Sequence, residues 1–212
     1  MSYNAIGLKN YGFLDAKLSD AELVPIKAEI DSIQKNFDLY ENQKYNMSLA
    51  GNIKKEYALI ESKKYMQDLL MPLVVAYDRD FGYNTNFTIL TDNVPIVLDS
   101  CWVNFQKKYE FNPAHFHHGL LSFVIWINVP YDMEEERKLS PGAESNFNSA
   151  GKFSFLYSDT IGGIQAFEIP IDKSMENKII LFPSNFYHMV YPFFTSDEYR
   201  ISVSGNFKLK IN

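Results

Sequence analysis

The chain has 212 residues, 46% of them apolar and 22% charged, with a formal net charge of −6. That composition is ordinary for a globular protein, and the length suits a single domain able to bury a core without disulfide staples. The lysine doublets (Lys54-Lys55, Lys63-Lys64, Lys107-Lys108) are scattered rather than clustered, which argues against a basic face for nucleic acid.

No run approaches a membrane span and no amino-terminal apolar stretch reads as a secretory leader, so a soluble, cytoplasmic protein is expected. The lone Cys101 sits in an apolar run and reads as a buried structural thiol.

In chain order, Ala5 to Leu14 reads as a short strand. Ser19-Asp20-Ala21-Glu22 has the form of a capping box. Behind it, Leu23, Ile26, Ile30, Ile33 and Phe37 recur at spacings of three and four, which predicts an amphipathic helix. A second helical pattern runs from about Tyr57 to Phe81, with Pro72 inside it predicting a kink or a break.

From Asn86 onward the pattern changes to β. Strands are expected at Phe87–Leu90, Ile96–Tyr109, Leu120–Val129, Phe153–Tyr157, Gln165–Ile169, Lys178–Phe182, His188–Pro192 and Arg200–Ile211. Gly162-Gly163 marks a hairpin turn. Residues 133–149 form a polar stretch with the character of a gating or solvated loop. The expected fold is mainly β: a jelly-roll core over 85–212, supported by helices of 1–84 packed on the outer face of one sheet.

The four histidines fall into two short segments: His115, His117 and His118 in one, His188 in the other. On an extended backbone, residues two apart face the same way, so His115 and His117 share a side while Phe116 and His118 take the other. Paired imidazoles suit a transition metal such as iron, zinc, copper or nickel. In a barrel, a distant strand can carry His188 to the same point as a third ligand.

Twelve residues beyond His188 stands Arg200. It shares one strand face with Ser202, Ser204 and Asn206, while Ile201, Val203 and Phe207 share the other. If helices cover the apolar face, the polar face lines a cavity. A buried guanidinium there needs an anionic partner, and its planar fork suits a carboxylate. Trp102, Asn104 and Gln106 share a face of the strand before the histidines, and Ser122, Val124 and Trp126 a face of the strand after them. Asn104, Gln106, Ser122 and Trp126 are therefore expected as further pocket walls.

A first histidine, a ligand two residues on, a distal histidine and then Arg-x-Ser is a layout that resembles the 2-oxoglutarate/Fe(II) dioxygenases. More closely, Trp102–Gln106, Asn112–His117, Leu121–Trp126, Phe182–Ser184 and Arg200–Ser202 are similar to oxygenases of this type encoded by marine bacteriophages, of the prolyl 4-hydroxylase-like branch. The resemblance covers about residues 85–210 and implies a double-stranded β-helix.

It also implies Fe(II) held by His115, His117 and His188, and 2-oxoglutarate held by Arg200 with Ser202 assisting. Molecular oxygen is the implied co-substrate, and a peptide or protein side chain is the first expectation for the hydroxylated substrate. The sequence departs from the family in one respect. Most members carry an acid where His117 stands, so either His117 replaces that acid or a carboxylate such as Asp132 completes the set. Two other readings stay open: a cupin-type three-histidine dioxygenase that does not use 2-oxoglutarate, and a non-enzymatic jelly-roll binding protein.

Overall fold

The computed structural model describes residues 10–84 and 94–210, together with Asn4. Two antiparallel sheets face each other. The larger contains β1 (Leu14–Lys17), β8 (Lys178–Pro183), β5 (Leu121–Asn128), β10 (Arg200–Leu209), β3 (Ile96–Gln106) and β2 (Glu56–Ala58), in that spatial order. The smaller has the order β4 (Asn112–His115), β9 (Tyr187–Val190), β6 (Lys152–Ser158) and β7 (Ile164–Pro170). This is the jelly-roll arrangement predicted from the strand-rich second half.

Period-two alternation divides the large sheet into two surfaces. Val103, Phe105, Ile125, Val203 and Phe207 form one cluster with Leu23, Ile26, Ile30 and Ile33 of α1 (Asp20–Lys35) and Met66, Leu70, Val74 and Tyr77 of α2 (Lys63–Phe81). The opposite surface belongs to a second cluster, in which Val124, Trp126, Ile180 and Phe182 meet Phe153 and Phe155 of the small sheet. One face of β10 is therefore sealed by helices and the other is turned into the sandwich.

The helix signals act as their chemistry requires. Ser19 caps α1, and Glu22 reaches back to the Ser19 backbone N–H in a reciprocal box. Helix α2 differs from expectation in where it starts and in being continuous through Pro72. Tyr57 belongs to β2, opposite Val103, rather than to the helix. The break between them is held by buried Glu29, which accepts from the backbone N–H groups of Ile60, Glu61 and Ser62. Pro72 does not break α2, which runs unbroken from Lys63 to Phe81. Its ring lies on the exposed side of the helix.

Other boundaries shift as well. The first strand begins at Leu14, where the reading of Ala5 to Leu14 ended, and Ala5–Lys9 lies outside the described residues, as does Phe87–Leu90. The amino-terminal 84 residues thus supply two edge strands of the large sheet besides the helices. Strand β3 stops at Gln106, and Asn112–His115 is a strand of its own. The polar stretch after residue 132 opens with helix α3 (Met133–Leu139). Its fully buried Glu136 accepts from the backbone N–H groups of Phe194 and Thr195, tying down the segment that leads into β10. Among the described residues no helix is long and apolar enough to cross a membrane.

Two positions give stability tests. Gly205 lies on β10 between β5 and β3, and a Cβ there would fall 2.7 Å from the Phe123 ring and from the backbone oxygen of Ser100. Gly205→Ala should therefore cost about 1–3 kcal/mol of overpacking in chemical denaturation, and unchanged stability would disprove the tight contact.

Glu56 is 2% exposed, and Asn46 Nδ2 donates to one of its carboxylate oxygens while the other, Oε1, has no partner. Burial first, and Glu110 second, push its carboxyl up to about 7 from an ordinary 4.5. The unfolded chain then ionises before the folded one, so stability falls as pH rises from about 4.5 to about 7. Glu56→Gln should show a higher Tm than wild type above pH 7, with the advantage shrinking toward pH 5.

Candidate metal centre and carboxylate pocket

Antiparallel pairing of β4 with β9 sets His115 directly opposite His188, across a register irregularity between Asn112 and His115. His117 follows just past the end of β4, its backbone N–H donating to Ser184 O at 2.8 Å. The three imidazoles meet inside the sandwich. Each offers a ring nitrogen, and these atoms all lie within 4.8 Å of one another. Ring centroids are 4.3 Å apart for His115 and His188, 5.0 Å for His115 and His117, and 5.1 Å for His117 and His188.

Two tautomers follow from the backbone. His115 Nδ1 lies 2.7 Å from Pro113 O, and His188 Nδ1 lies 2.9 Å from Phe186 O. A carbonyl oxygen only accepts, so both Nδ1 atoms carry the proton and both Nε2 atoms keep a lone pair for an ion. His118 stands outside the group, exposed and against Phe116, as its parity predicts. Asp132 is not among the donors grouped with the imidazoles. It caps α3, accepting from Glu134 N at 2.8 Å and Glu135 N at 3.1 Å.

Arg200 faces the same interior and is 2% exposed. Nε and Nη2 donate to Gln106 Oε1 at 3.1 and 2.7 Å, and Nη2 also to Tyr191 O at 2.9 Å. Nη1 donates to Tyr131 Oη at 2.6 Å and to Gly151 O at 3.3 Å. Every one of these acceptors is neutral, and no ion pair to Arg200 exists among the described residues. The rings of Phe193 and Tyr131 lie 5.4 and 5.8 Å from the guanidinium carbon.

Asn104 donates to Ser202 Oγ at 3.2 Å and accepts from Trp102 Nε1 at 3.1 Å. Asn104, Gln106, Trp126, Arg200 and Ser202 all line one cavity with the three histidines. Ser122 does not line it. It shares the face of Val124 and Trp126 but sits farther along β5, with its hydroxyl 2.9 Å from Ser184 Oγ and 2.7 Å from Asn206 Oδ1. Parity names the face of a residue and says nothing of its depth along the barrel. Sequence reasoning also missed Tyr131 and the carbonyls of Gly151 and Tyr191. The carbonyls leave no trace in residue identity, and Tyr131 carries no periodic signal because it lies beyond β5.

The donor set suits a divalent transition metal such as iron. Burial is the main cause holding all three imidazoles below their ordinary pKa, with the neighbouring histidines adding to it for His117 and His188. His117 falls to about 4 and His188 well below 6.5. The three imidazoles are thus neutral and competent to bind a metal at physiological pH. Arg200 suits the far end of an anionic chelator, since a buried, unpaired cation is costly without one.

A jelly roll that gathers three imidazoles and a buried arginine around one cavity defines a metal-dependent enzyme of the non-haem type. The chain belongs to the 2OG-Fe(II) oxygenases: residues 100–206 match the family model described as "Putative 2OG-Fe(II) oxygenase". Fe(II) and 2-oxoglutarate are accordingly its cofactor and co-substrate. This membership sets aside the cupin-type and non-enzymatic readings.

Solved structures share the fold. A prolyl-4-hydroxylase from Pseudomonas putida aligns with a TM-score of 0.57 at 13% identity, over 95% of this chain and 94% of that one. A Trichoplax adhaerens prolyl hydroxylase, in complex with a peptide fragment of the hypoxia inducible factor oxygen degradation domain, aligns with 0.57 at 13%, over 94% and 84%. The viral collagen prolyl hydroxylase of Paramecium Bursaria Chlorella virus-1, as its 2OG complex, aligns with 0.51 at 11%, over 92% and 94%. No curated protein sequence matches the chain.

The histidine burial has a pH consequence for the metal-free protein. The unfolded chain takes up protons near 6.5, while folded His117 resists them down to about 4. The contribution to stability is whole above about 6.5 and is lost as pH falls toward about 4. Thermal melts of the metal-free protein should show Tm declining across that window, with a shallower decline in His117→Gln. A flat profile in both would contradict the burial.

Proposed function

We propose that the protein hydroxylates a peptide or protein side chain, with His115, His117 and His188 holding Fe(II) and Arg200 binding the distal carboxylate of 2-oxoglutarate. The observation that carries this reading is Arg200: buried, turned into the cavity of the three imidazoles, and met, among the described residues, only by neutral acceptors. Bound together, iron and 2-oxoglutarate supply decarboxylation to succinate and carbon dioxide, and transfer of one oxygen atom of O2 into a substrate C–H bond.

The chain's own groups have the remaining tasks. Gln106 Oε1 accepts from Nε and Nη2 of Arg200, the edge that a carboxylate grips in bidentate fashion. The cavity has about 40 Å³ of free space, room for a water molecule rather than a dicarboxylate. Withdrawal of Gln106 would both free that edge and enlarge the cavity. Ser202 and Tyr131 then offer hydroxyls beside the same carboxylate. Trp126, Phe153 and Phe182 wall the cavity with apolar surface, which excludes water.

With His117 in place of the usual acid, the protein brings no negative charge to the ion. The chelator then carries all of the compensating charge, which makes the grip of Arg200 on it more consequential. The peptide reading of the substrate rests on the fold shared with prolyl hydroxylases, one of which holds a peptide fragment.

Anaerobic titration of the metal-free protein with Fe(II) and then 2-oxoglutarate should produce the weak visible charge-transfer band of the chelate. Arg200→Ala should raise the 2-oxoglutarate Kd by about two orders of magnitude or more, the cost of truncating one partner of a buried charge pair. His188→Ala should abolish the band. Iron binding without a band in the wild type would overturn the 2-oxoglutarate assignment to this pocket.

A further inference from the structure

A second cavity, of about 290 Å³, opens on the outer side of the same imidazoles. It shares His115, His117, Trp102, Leu49 and Ala50 with the inner cavity, so the two meet at the metal centre. Arg200, Ser202 and Asn104 line only the inner one. The Trp102 ring forms the boundary, with Tyr45 stacked at 5.6 Å and His117 tilted against it at 5.6 Å.

The chemistry of the outer lining is one-sided. Its polar groups are the hydroxyls of Tyr45, Ser48 and Ser100, the Asn206 amide and the imidazoles of His115, His117 and His118, and among the described residues its one charged group is the carboxylate of Asp99. Among the described residues no lysine or arginine lines it. Two ammonium groups come close to Asp99 but are already engaged: Lys208 pairs with its carboxylate, and Lys63 donates to its backbone oxygen at 2.6 Å. An anionic ligand would meet a carboxylate and no free cation, whereas an uncharged amide or hydroxyl would find donors and acceptors. The volume is close to the lower bound of small-ligand pockets, the size for one side chain and its flanking backbone rather than a large cofactor-like molecule.

We propose that this outer cavity receives the primary substrate, and that it admits an uncharged, hydrogen-bonding segment of a peptide while refusing an anionic one such as a phosphorylated or acidic residue or a nucleic acid. The assignment rests on the oxygenase reading of the inner cavity. It adds the location of the second reactant and the charge class that can occupy it. Ser48 is the residue to test, because it borders the outer cavity only and is exposed, so a larger side chain there leaves the core untouched.

The test uses the protein loaded with Fe(II) and 2-oxoglutarate. The probes are a library of synthetic peptides free of Asp and Glu, the same library with glutamate or phosphoserine at the central position, and a short single-stranded oligonucleotide. Succinate release above the substrate-free rate and gain of one oxygen by mass are the readouts. Members of the uncharged library should stimulate succinate release, and their acidic counterparts should do so at least about tenfold less well. Ser48→Trp and Ser48→Phe should lose most of the stimulation while keeping the charge-transfer band, which also certifies their folding. Equal or better stimulation by the acidic library or the oligonucleotide would overturn the proposal. So would full stimulation in Ser48→Trp, or no stimulation by any peptide while the band is intact. Absence of the band in the wild type would instead defeat the reading of the inner cavity.

Discussion

A guanidinium is permanently charged, and in this protein Arg200 lies inside the sandwich with no acid in contact among the described residues. Its desolvation has to be offset by something, and the neutral acceptors around it do so only in part. Gln106, Tyr131 and two backbone carbonyls satisfy the N–H groups without neutralising the charge. That uncompensated charge is what the proposed binding of 2-oxoglutarate at Arg200 rests on. Three neutral imidazoles across the same cavity sharpen this requirement, since a divalent ion among them would add positive charge and no negative one.

Strand β10 makes the arrangement compatible with a stable fold. Its Ile201, Val203 and Phe207 face join α1 and α2 in one apolar cluster, which is large enough to anchor the sheet. Arg200, Ser202 and Ser204 are then free to line a cavity on the other side. Neighbouring β3 repeats the division, with Val103 and Phe105 under the helices and Trp102, Asn104 and Gln106 toward the cavity. Core and site are thus built from alternate residues of the same strands, and the rigidity of the first preorganises the second.

Further supports of the site come from outside β3 and β10. Glu136 of α3 fixes the backbone at Phe194 and Thr195, just after Phe193, whose ring packs on Tyr131 beside Arg200. Pro113 and Phe186 offer carbonyls that set the tautomers of His115 and His188. The first contact spans 58 residues and fixes backbone beside Arg200, whereas the other two are local and fix the proton of each ring.

Local chemistry is what the amino-acid order determined unaided. The capping box at Ser19, the helical spacing behind it, the shared face of His115 and His117 and the two-sided pattern of β10 all depend on backbone geometry over a few residues. Family resemblance added Fe(II) and 2-oxoglutarate as the partners proposed for His188 and Arg200. Tertiary structure alone decided which residues on a face reach the cavity, admitting Asn104 and Gln106 while placing Ser122 beyond it with Ser184 and Asn206. It also decided that Tyr57 lies in a strand and that Pro72 leaves α2 unbroken, because pairing with β3 and an exposed ring outweigh local propensity. Periodicity is a property of neighbours along the chain. Depth, register and the partners of a buried charge belong to segments far apart in it, and only their packing brings those into being.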